Sequence, residues 1–306
     1  MPRELFGADF AFLPRAELLT FEEIARLARI FANLGVEKIR VTGGEPLLRR
    51  DLEKLIGLLV QTPGIRDLAM TTNGSLLAKM ASPLRASGLG RITVSLDSLD
   101  DTIFAAMNDA EFTVARVLEG IDAALSAGFS PLKINMVVKR GVNETSIVPM
   151  ARHFRGPQFI LRFIEYMDVG NSNAWQLGEV VSGEEIIQKI ANEMPLVPLA
   201  GNYPGEVVKR FRHIDGGGEI GVITSVTNPF CADCSRVRLS SNGQLYTCLF
   251  AESGFDLRAL LRRGCDDVEI AASIQTIWSL REDRYSEQRA SQTNQSRKVE
   301  MSHLGG

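Results

Sequence analysis

The chain has 306 residues, 45% of them hydrophobic and 23% charged, with a net charge of −3. That length buries a large core, as one α/β barrel-sized domain or two ordinary ones. The composition excludes the basic excess of a nucleic-acid binder, the charge run of a membrane-surface protein and the roughly 20-residue apolar stretch of a membrane span.

Thr20 opens TFEEI with Glu23 three residues on, a capping box. Ile24, Leu27, Ala28, Phe31 and Leu34 follow at helical spacing, and Gly35 ends the run. KIRVTG (38–43) reads as a strand, DLEKLIGLLV (51–60) as a helix stopped by Pro63, and DLAMTTNG (67–74) and RITVSLD (91–97) as strands. Phe112, Val114, Val117, Leu118, Ile121, Ala124 and Leu125 form a helix closed by Gly128. LKINMVVKRG (132–141) and FILRFIEY (159–166) are further strands. Strand and helix thus alternate about every 25 to 40 residues, the signature of parallel βα units. Strands apolar on both faces, such as ITVSL and INMVV, suit a sheet covered by helices. The fold expected is α/β, an incomplete βα barrel. In a barrel the chemistry lies at the C-terminal strand ends. Here these carry GGEP (43–46), TTNG (71–74), SLD (95–97), the neighbourhood of Lys133, and EYMD (165–168).

After about residue 205 the pattern changes, so the expected division is a barrel region 1–205 and a C-terminal region 206–306. GGGEIGVITSVTNPF (216–230) leads into NPFCADCSRVRLSSNGQLYTCLF (228–250), where two strands flank Asn242-Gly243, a strong hairpin signal. FDLRALLRRG (255–264) is a short helix, and the polar tail reads as an extended or mobile arm.

The first residues, MPRELFGADFAF, lack a secretory apolar core, so a cytoplasmic location is expected. In a reducing compartment four cysteines argue for metal or catalytic use rather than disulfides. Cys231 and Cys234 form a C-x-x-C knuckle, and Cys248 returns across the hairpin toward it. Zinc wants a fourth ligand, and His213, His303 and Cys265 all lack knuckle spacing. An iron–sulfur cluster on three cysteines leaves one iron open to a substrate. Spacing leaves zinc, a cluster and unligated thiols all open; Cys265 reads as a packing cysteine. Arg236 and Arg238 share one face if their segment is a strand, and suit a phosphate or a polarised base.

KIRVTGGEPLLRRDL, MTTNG, VSLDSLD, RFIEYMDVGN, the cysteine loop and the terminal Gly305-Gly306 together resemble the molybdenum cofactor biosynthesis protein A family, radical S-adenosylmethionine (SAM) enzymes acting on GTP. The resemblance runs from Met1 to Gly306. It implies a GTP 3′,8-cyclase with two [4Fe-4S] clusters. One cleaves SAM to a 5′-deoxyadenosyl radical, and the other binds GTP through its open iron. The radical takes a hydrogen from ribose C3′, and that carbon attacks C8 of guanine. It further implies Cys231, Cys234 and Cys248 as ligands of the GTP-side cluster, and Gly44, Ser95 and Met167 as SAM contacts. Arg40, Thr71, Lys133, Arg236, Val237 and Arg238 become GTP contacts, and Gly305 and Gly306 a catalytic finger. A reductant, a synthase making cyclic pyranopterin monophosphate and a homodimer are implied partners, with no nucleic acid and no membrane.

The family's C-x-x-x-C-x-x-C motif is absent from these 306 residues, and so are the ligands of the N-terminal [4Fe-4S] cluster. In the family Met-Pro directly follows that motif's third cysteine; here Met1-Pro2 stand at the start. The expectation is a chain cut just after its radical-generating motif, lacking the first strand. It would hold the C-terminal cluster and GTP but be inactive. The alternatives are a non-catalytic GTP- or metal-binding protein, or another radical SAM enzyme with an auxiliary cluster. Residues 1–306 supplied with SAM and dithionite are therefore expected to release no 5′-deoxyadenosine. Its detection by chromatography would overturn this expectation.

Overall fold

The computed structural model describes residues 13–109, 111–170, 175–203, 205–289 and 298–304. Five strand–helix units come first. Helix α1 (Phe21–Asn33) leads into β1 (Lys38–Val41) and α2 (Leu52–Val60), then β2 (Asp67–Thr72) and α3 (Leu77–Ala86). Next come β3 (Arg91–Ser95), α4 (Asp101–Asn108) and α5 (Val114–Ser126), then β4 (Leu132–Val138), α6 (Ile147–His153), β5 (Phe159–Glu165) and α7 (Gly183–Ala191). The capping box of α1 forms as expected. The Thr20 hydroxyl accepts the Glu23 N–H at 3.1 Å, and the Thr20 N–H donates to the Glu23 carboxylate at 2.8 Å. Phe112 lies ahead of α5 rather than in it, because the Asp101 carboxylate accepts the Val114 N–H and marks the first helical turn there.

Strands β1 to β5 pair in parallel and in sequence order. The sheet then continues through β8 (Glu219–Ile223), parallel to β5, and the antiparallel β7 (Val208–His213) and β6 (Leu196–Leu199). This is a partial barrel sheet. Among the described residues β1 pairs only with β2, and the sheet runs unbroken across residue 205.

One face of the sheet is apolar. Met70, Val94, Ile134, Met136 and Phe163 point into a core shared with Leu55, Ile56, Leu84, Val117, Ile121, Met150 and Ile186 from the helices. The other face differs from the expectation of strands apolar on both sides. Arg40, Thr71, Thr93, Lys133, Asn135 and Arg162 alternate with the core residues and line it with polar groups. Period-two alternation of this kind places every second residue on the uncovered side.

The C-terminal region adds a small sheet of β9 (Arg238–Leu239), β10 (Gln244–Tyr246) and β11 (Phe255–Asp256), then α8 (Leu257–Arg262) and α9 (Asp267–Ser279). The hairpin between β9 and β10 does not close as a two-residue turn on Asn242-Gly243. The Gly243 N–H donates to the Ser240 carbonyl at 3.0 Å and Ser240 pairs with Gln244, leaving a three-residue loop. Gly243 takes the positive φ of 81° that such loops require. A second core joins Leu245, Leu257, Leu261, Ile270 and Ile274 to Leu19, Leu27 and Ile30 near the start of the chain. Among the described residues no helix is long and apolar enough to cross a membrane.

Helices α3 and α5 touch through Gly120, where a Cβ would lie 2.7 Å from the Gly74 carbonyl and 3.0 Å from Leu77 Cβ. Alanine gains about 1 kcal/mol in helix propensity. Overpacking against a backbone carbonyl costs about 1–3 kcal/mol. Gly120→Ala should therefore be net destabilising by up to about 2 kcal/mol, seen as a lower urea midpoint with an unchanged slope.

Candidate active site

The polar sheet face concentrates positive charge. Lys38 and Arg91 share Asp67, and Arg210 is paired with Glu219. Arg40, Lys133 and Arg162 make no ion pair among the described residues. Arg40 donates to the Thr71 hydroxyl at 2.9 Å, and the Arg162 Nε is buried without a partner, as is Asn135 Oδ1. Burial, reinforced by Arg162, Arg91, Arg40 and Lys38, pulls the Lys133 ammonium down to about 7. Burial also lowers Arg162 to about 10, and Arg40 in the same direction. Unpaired cations this close together are unfavourable alone and mark a place for an anion.

The C-terminal strand ends carry the second group. After β1, Glu45 of GGEP accepts the Thr72 hydroxyl at 2.7 Å, the Asn73 N–H at 2.7 Å and the Leu47 N–H at 3.0 Å, tying the Gly43-Gly44 turn to the end of β2. Burial pushes its carboxyl up. Ser95 ends β3, paired in register with Asn135 of β4, and Met167 follows β5. Each expected SAM contact thus stands at the same end of the sheet.

The thiol loop begins a few residues after β8. Its origin is fixed by Glu165, the fully buried last residue of β5. One carboxylate oxygen of Glu165 accepts the Val226 and Thr227 N–H groups, each at 2.9 Å. The other accepts the Thr227 hydroxyl at 2.5 Å and the Gly183 N–H at 2.7 Å. Within the loop the Cys234 N–H donates to the Cys231 carbonyl at 3.2 Å, which closes the knuckle. Arg236 is not in a strand as the spacing predicts. It is exposed, stacks over Phe230 at 5.1 Å and lies near enough to Arg40 for the two charges to repel. Arg238 opens β9 and is lowered to about 10 by burial, with Arg236 adding to the effect. Arg281 donates to the Cys234 carbonyl.

Among the described residues no three Cys, His, Asp or Glu side chains come close enough to hold a single metal ion. The thiols nonetheless share one electrostatic neighbourhood. Cys248 feels Cys231 and Arg238, and Cys234 feels Arg236 and Arg281. Burial is the largest influence on the Cys234 thiol and raises it, but the charge and hydrogen bonds of Arg236, together with Arg281, bring the group down to about 7. Burial raises Cys248, against the Phe250 N–H that donates to its Sγ at 3.4 Å. Three thiols with arginines and an N–H···S bond around them are the donor chemistry that an iron–sulfur cluster takes. Cys265 packs against the second core.

Residues 6–154 match the Radical SAM superfamily, and residues 159–287 match Molybdenum Cofactor Synthesis C. All of this chain aligns with 91% of a GTP 3′,8-cyclase from Acidothermus cellulolyticus at 52% identity. The chain belongs to the GTP 3′,8-cyclase family. Proteins of the same name from Staphylococcus epidermidis and Staphylococcus aureus are 48% and 47% identical, again over 100% of this chain and 91% of theirs.

Of the residues expected in the sequence, the structure brings Arg40, Thr71 and Lys133 onto one sheet face. Gly44, Ser95 and Met167 lie at its C-terminal end, and Arg236, Val237 and Arg238 lie in the thiol loop. Gly305 and Gly306 lie outside the described residues. Sequence reasoning passed over Lys38, Arg91, Asn135 and Arg162 on the same face; Lys38 and Asn135, each two residues from Arg40 or Lys133 on the same strand, were the two that alternation could have found, while Arg91 and Arg162 depend on strand register. It placed Glu165 at a strand end, in EYMD, but not its role as the anchor of the thiol loop. Because all its partners are donors, Glu165→Gln turns an NH₂ group toward N–H groups. We expect a loss of about 2–4 kcal/mol in unfolding free energy, with faster amide exchange at Val226 and Thr227 by mass spectrometry.

Proposed function

We propose that the polar sheet face and the thiol loop form the GTP site of a GTP 3′,8-cyclase, with SAM at the strand ends. The observation that carries this is the trio Arg40, Lys133 and Arg162, half-buried cations on one face with no ion pair among the described residues. A triphosphate supplies the missing charge, and guanidinium groups match its oxygens in pairs. Thr71, whose hydroxyl oxygen is engaged by Arg40, has its own proton to donate to the nucleotide. Arg236, beside Arg40, extends the cationic surface toward the thiols.

Cys231, Cys234 and Cys248 are assigned to a [4Fe-4S] cluster. When bound, such a cluster supplies an iron with a free position for a donor atom of the substrate. Val237 and Arg238 then border the nucleotide on the thiol side. Gly44, Ser95 and Met167 are assigned to SAM, and Gly305-Gly306 to the catalytic finger. The division of labour follows residue 205: strand ends before it hold SAM, and residues 206–306 hold the thiols.

The reaction removes hydrogen from ribose C3′ and joins that carbon to guanine C8. Both carbons must keep one geometry while the hydrogen leaves. Pinning the phosphates on three strands and the base at the loop achieves this by removing rotational freedom before the reaction. Starting that reaction also needs three thiolates for a cluster beside SAM, which residues 1–306 do not contain, so on this reading these residues hold GTP and SAM without turning over. A homodimer, an external reductant and a synthase that consumes the product belong to the complete reaction.

Anaerobic reconstitution with iron and sulfide tests the metal. Iron and sulfide in near-equal amounts are expected, lost in Cys231→Ala together with a GTP-induced change in the visible spectrum. Zinc alone, bound equally by Cys231→Ala, would refute the assignment.

The Lys133 ammonium gives a second test. In the free protein it loses its proton at about 7, and an adjacent triphosphate favours the charged form. Binding above that pH therefore takes up a proton, so affinity falls as pH rises. The terminal phosphate of GTP has a pKa near ~6 and adds little there. Calorimetric GTP affinity should drop by up to about tenfold per unit above pH 7. Lys133→Met should bind more weakly and with a flat profile.

A further inference from the structure

Asp168 stands three residues beyond the end of β5 with 8% of its surface exposed. The Tyr285 hydroxyl donates to its Oδ2. Arg289 Nε donates to Oδ1 at 2.8 Å, and Lys298 Nζ donates to Oδ2 at 2.8 Å and to the backbone carbonyl at 2.9 Å. All three partners come from the C-terminal tail, read from sequence as an extended or mobile arm. Its described parts are instead packed against the strand ends.

Aromatic rings complete the attachment. Phe250 stacks on Tyr285 with ring centroids 4.4 Å apart. Arg289 lies over Trp175, Phe250 and Tyr285, and Lys298 over Phe250 and Tyr285. Just beyond Lys298, the Val299 N–H donates to the Ala251 carbonyl at 3.0 Å, so the tail runs beside the segment that follows Cys248. The Phe250 N–H is the donor to Cys248 Sγ. Contacts therefore run without a break from Asp168 to Tyr285, from Tyr285 to Phe250, and from Phe250 to the Cys248 sulfur.

We infer that Asp168 is a positioning residue, which docks the tail on the end of β5 and thereby holds the Phe250 N–H on the Cys248 sulfur. Arg289 and Lys298 keep only 11% of their side-chain surface exposed. Without the carboxylate these two nearly buried cations lose the negative charge they share, and the tail leaves. The stack on Phe250 leaves with it. A sulfur that loses an N–H donor is a stronger nucleophile toward alkylating agents, and as a cluster ligand it lowers the reduction potential. The link to catalysis rests on the assignment of Cys248 as a cluster ligand; the docking itself does not.

The test compares Asp168→Asn, Asp168→Glu and Lys298→Met with the parent chain, each first without a cluster. Trypsin cleavage after Arg289 should speed up at least tenfold in Asp168→Asn and in Lys298→Met, and return toward the parent rate in Asp168→Glu. Alkylation of Cys248 by iodoacetamide, followed by mass spectrometry, should rise severalfold in the first two variants. Cys265, on the second core, should react at its parent rate in all of them. After reconstitution the cluster potential should fall in Asp168→Asn. Unchanged tail cleavage overturns the docking. Faster cleavage with unchanged Cys248 reactivity overturns the link to the thiol. If Asp168→Asn fails to fold by circular dichroism, Lys298→Met decides. A Cys248 that responds in a protein binding only zinc would keep this inference and sink the cluster assignment.

Discussion

Glu165 accepts four hydrogen bonds while having no exposed surface, and three of them come from Val226 and Thr227, some sixty residues further along the chain. A buried carboxylate is costly unless its oxygens are satisfied, and here every donor comes from a segment that would otherwise be free to shift. The thiol loop therefore starts from a fixed point at the end of the sheet's central strand. Everything the loop presents, from the Cys231–Cys234 knuckle to Arg236 beside Arg40, inherits its position from that carboxylate. Three residues later Asp168 grips the tail in the same manner. Between them lies Met167. One short stretch after β5 thus sets the distance between the strand ends and the thiols.

Against these satisfied acids stand the unsatisfied bases. Lys133, Arg162, Arg40 and Arg238 are all lowered by burial, with neighbouring cations adding to the effect. Carboxylates were available to neutralise them, since Asp67 and Glu219 do so for Arg91 and Arg210 on the same face. Among the described residues no carboxylate pairs with Arg40, Lys133 or Arg162, and the proposed GTP site rests on that difference. A polyanion that binds the folded chain alone would remove the repulsion and stabilise the fold by RT ln(1 + L/Kd), where L is its free concentration. Functional sites commonly hold such locally unfavourable arrangements, supported by the rigidity of the surrounding core.

What could be read from sequence was local. The capping box at Thr20, the βα alternation and the strand-end positions of GGEP and SLD each depend on residues within a few places of one another. The Cys231–Cys234 knuckle does too. The Asn242-Gly243 signal located the hairpin but not its loop length, because the Ser240–Gln244 pair shifts the closing residue by one. Arg162 was hidden in plain sight within FILRFIEY. A lone arginine in an apolar strand has no meaning until its register with Lys133 and Arg40 is known. Glu165 and Asp168 were legible only as strand-end acids. Their partners lie 18 to 130 residues away, and no periodicity announces a contact of that separation. The antiparallel extension through β7 and β6 escaped for a similar reason. LVPL and VKRFRH are short and carry weak alternation.

The second core has a kinetic meaning. Leu19, Leu27 and Ile30 are buried against Leu245, Leu257, Ile270 and Ile274, and Arg26 reaches Asp267 across 241 residues of chain. During synthesis at about 5–20 residues per second, the apolar stripe of α1 waits roughly 10 to 50 s for its partners to emerge. Contacts of such sequence separation also slow folding through loop closure. The emerging chain therefore carries an uncovered helix face for most of its time on the ribosome. Yield in a cell will depend on chaperone supply and growth temperature as well as on the stability of the finished fold.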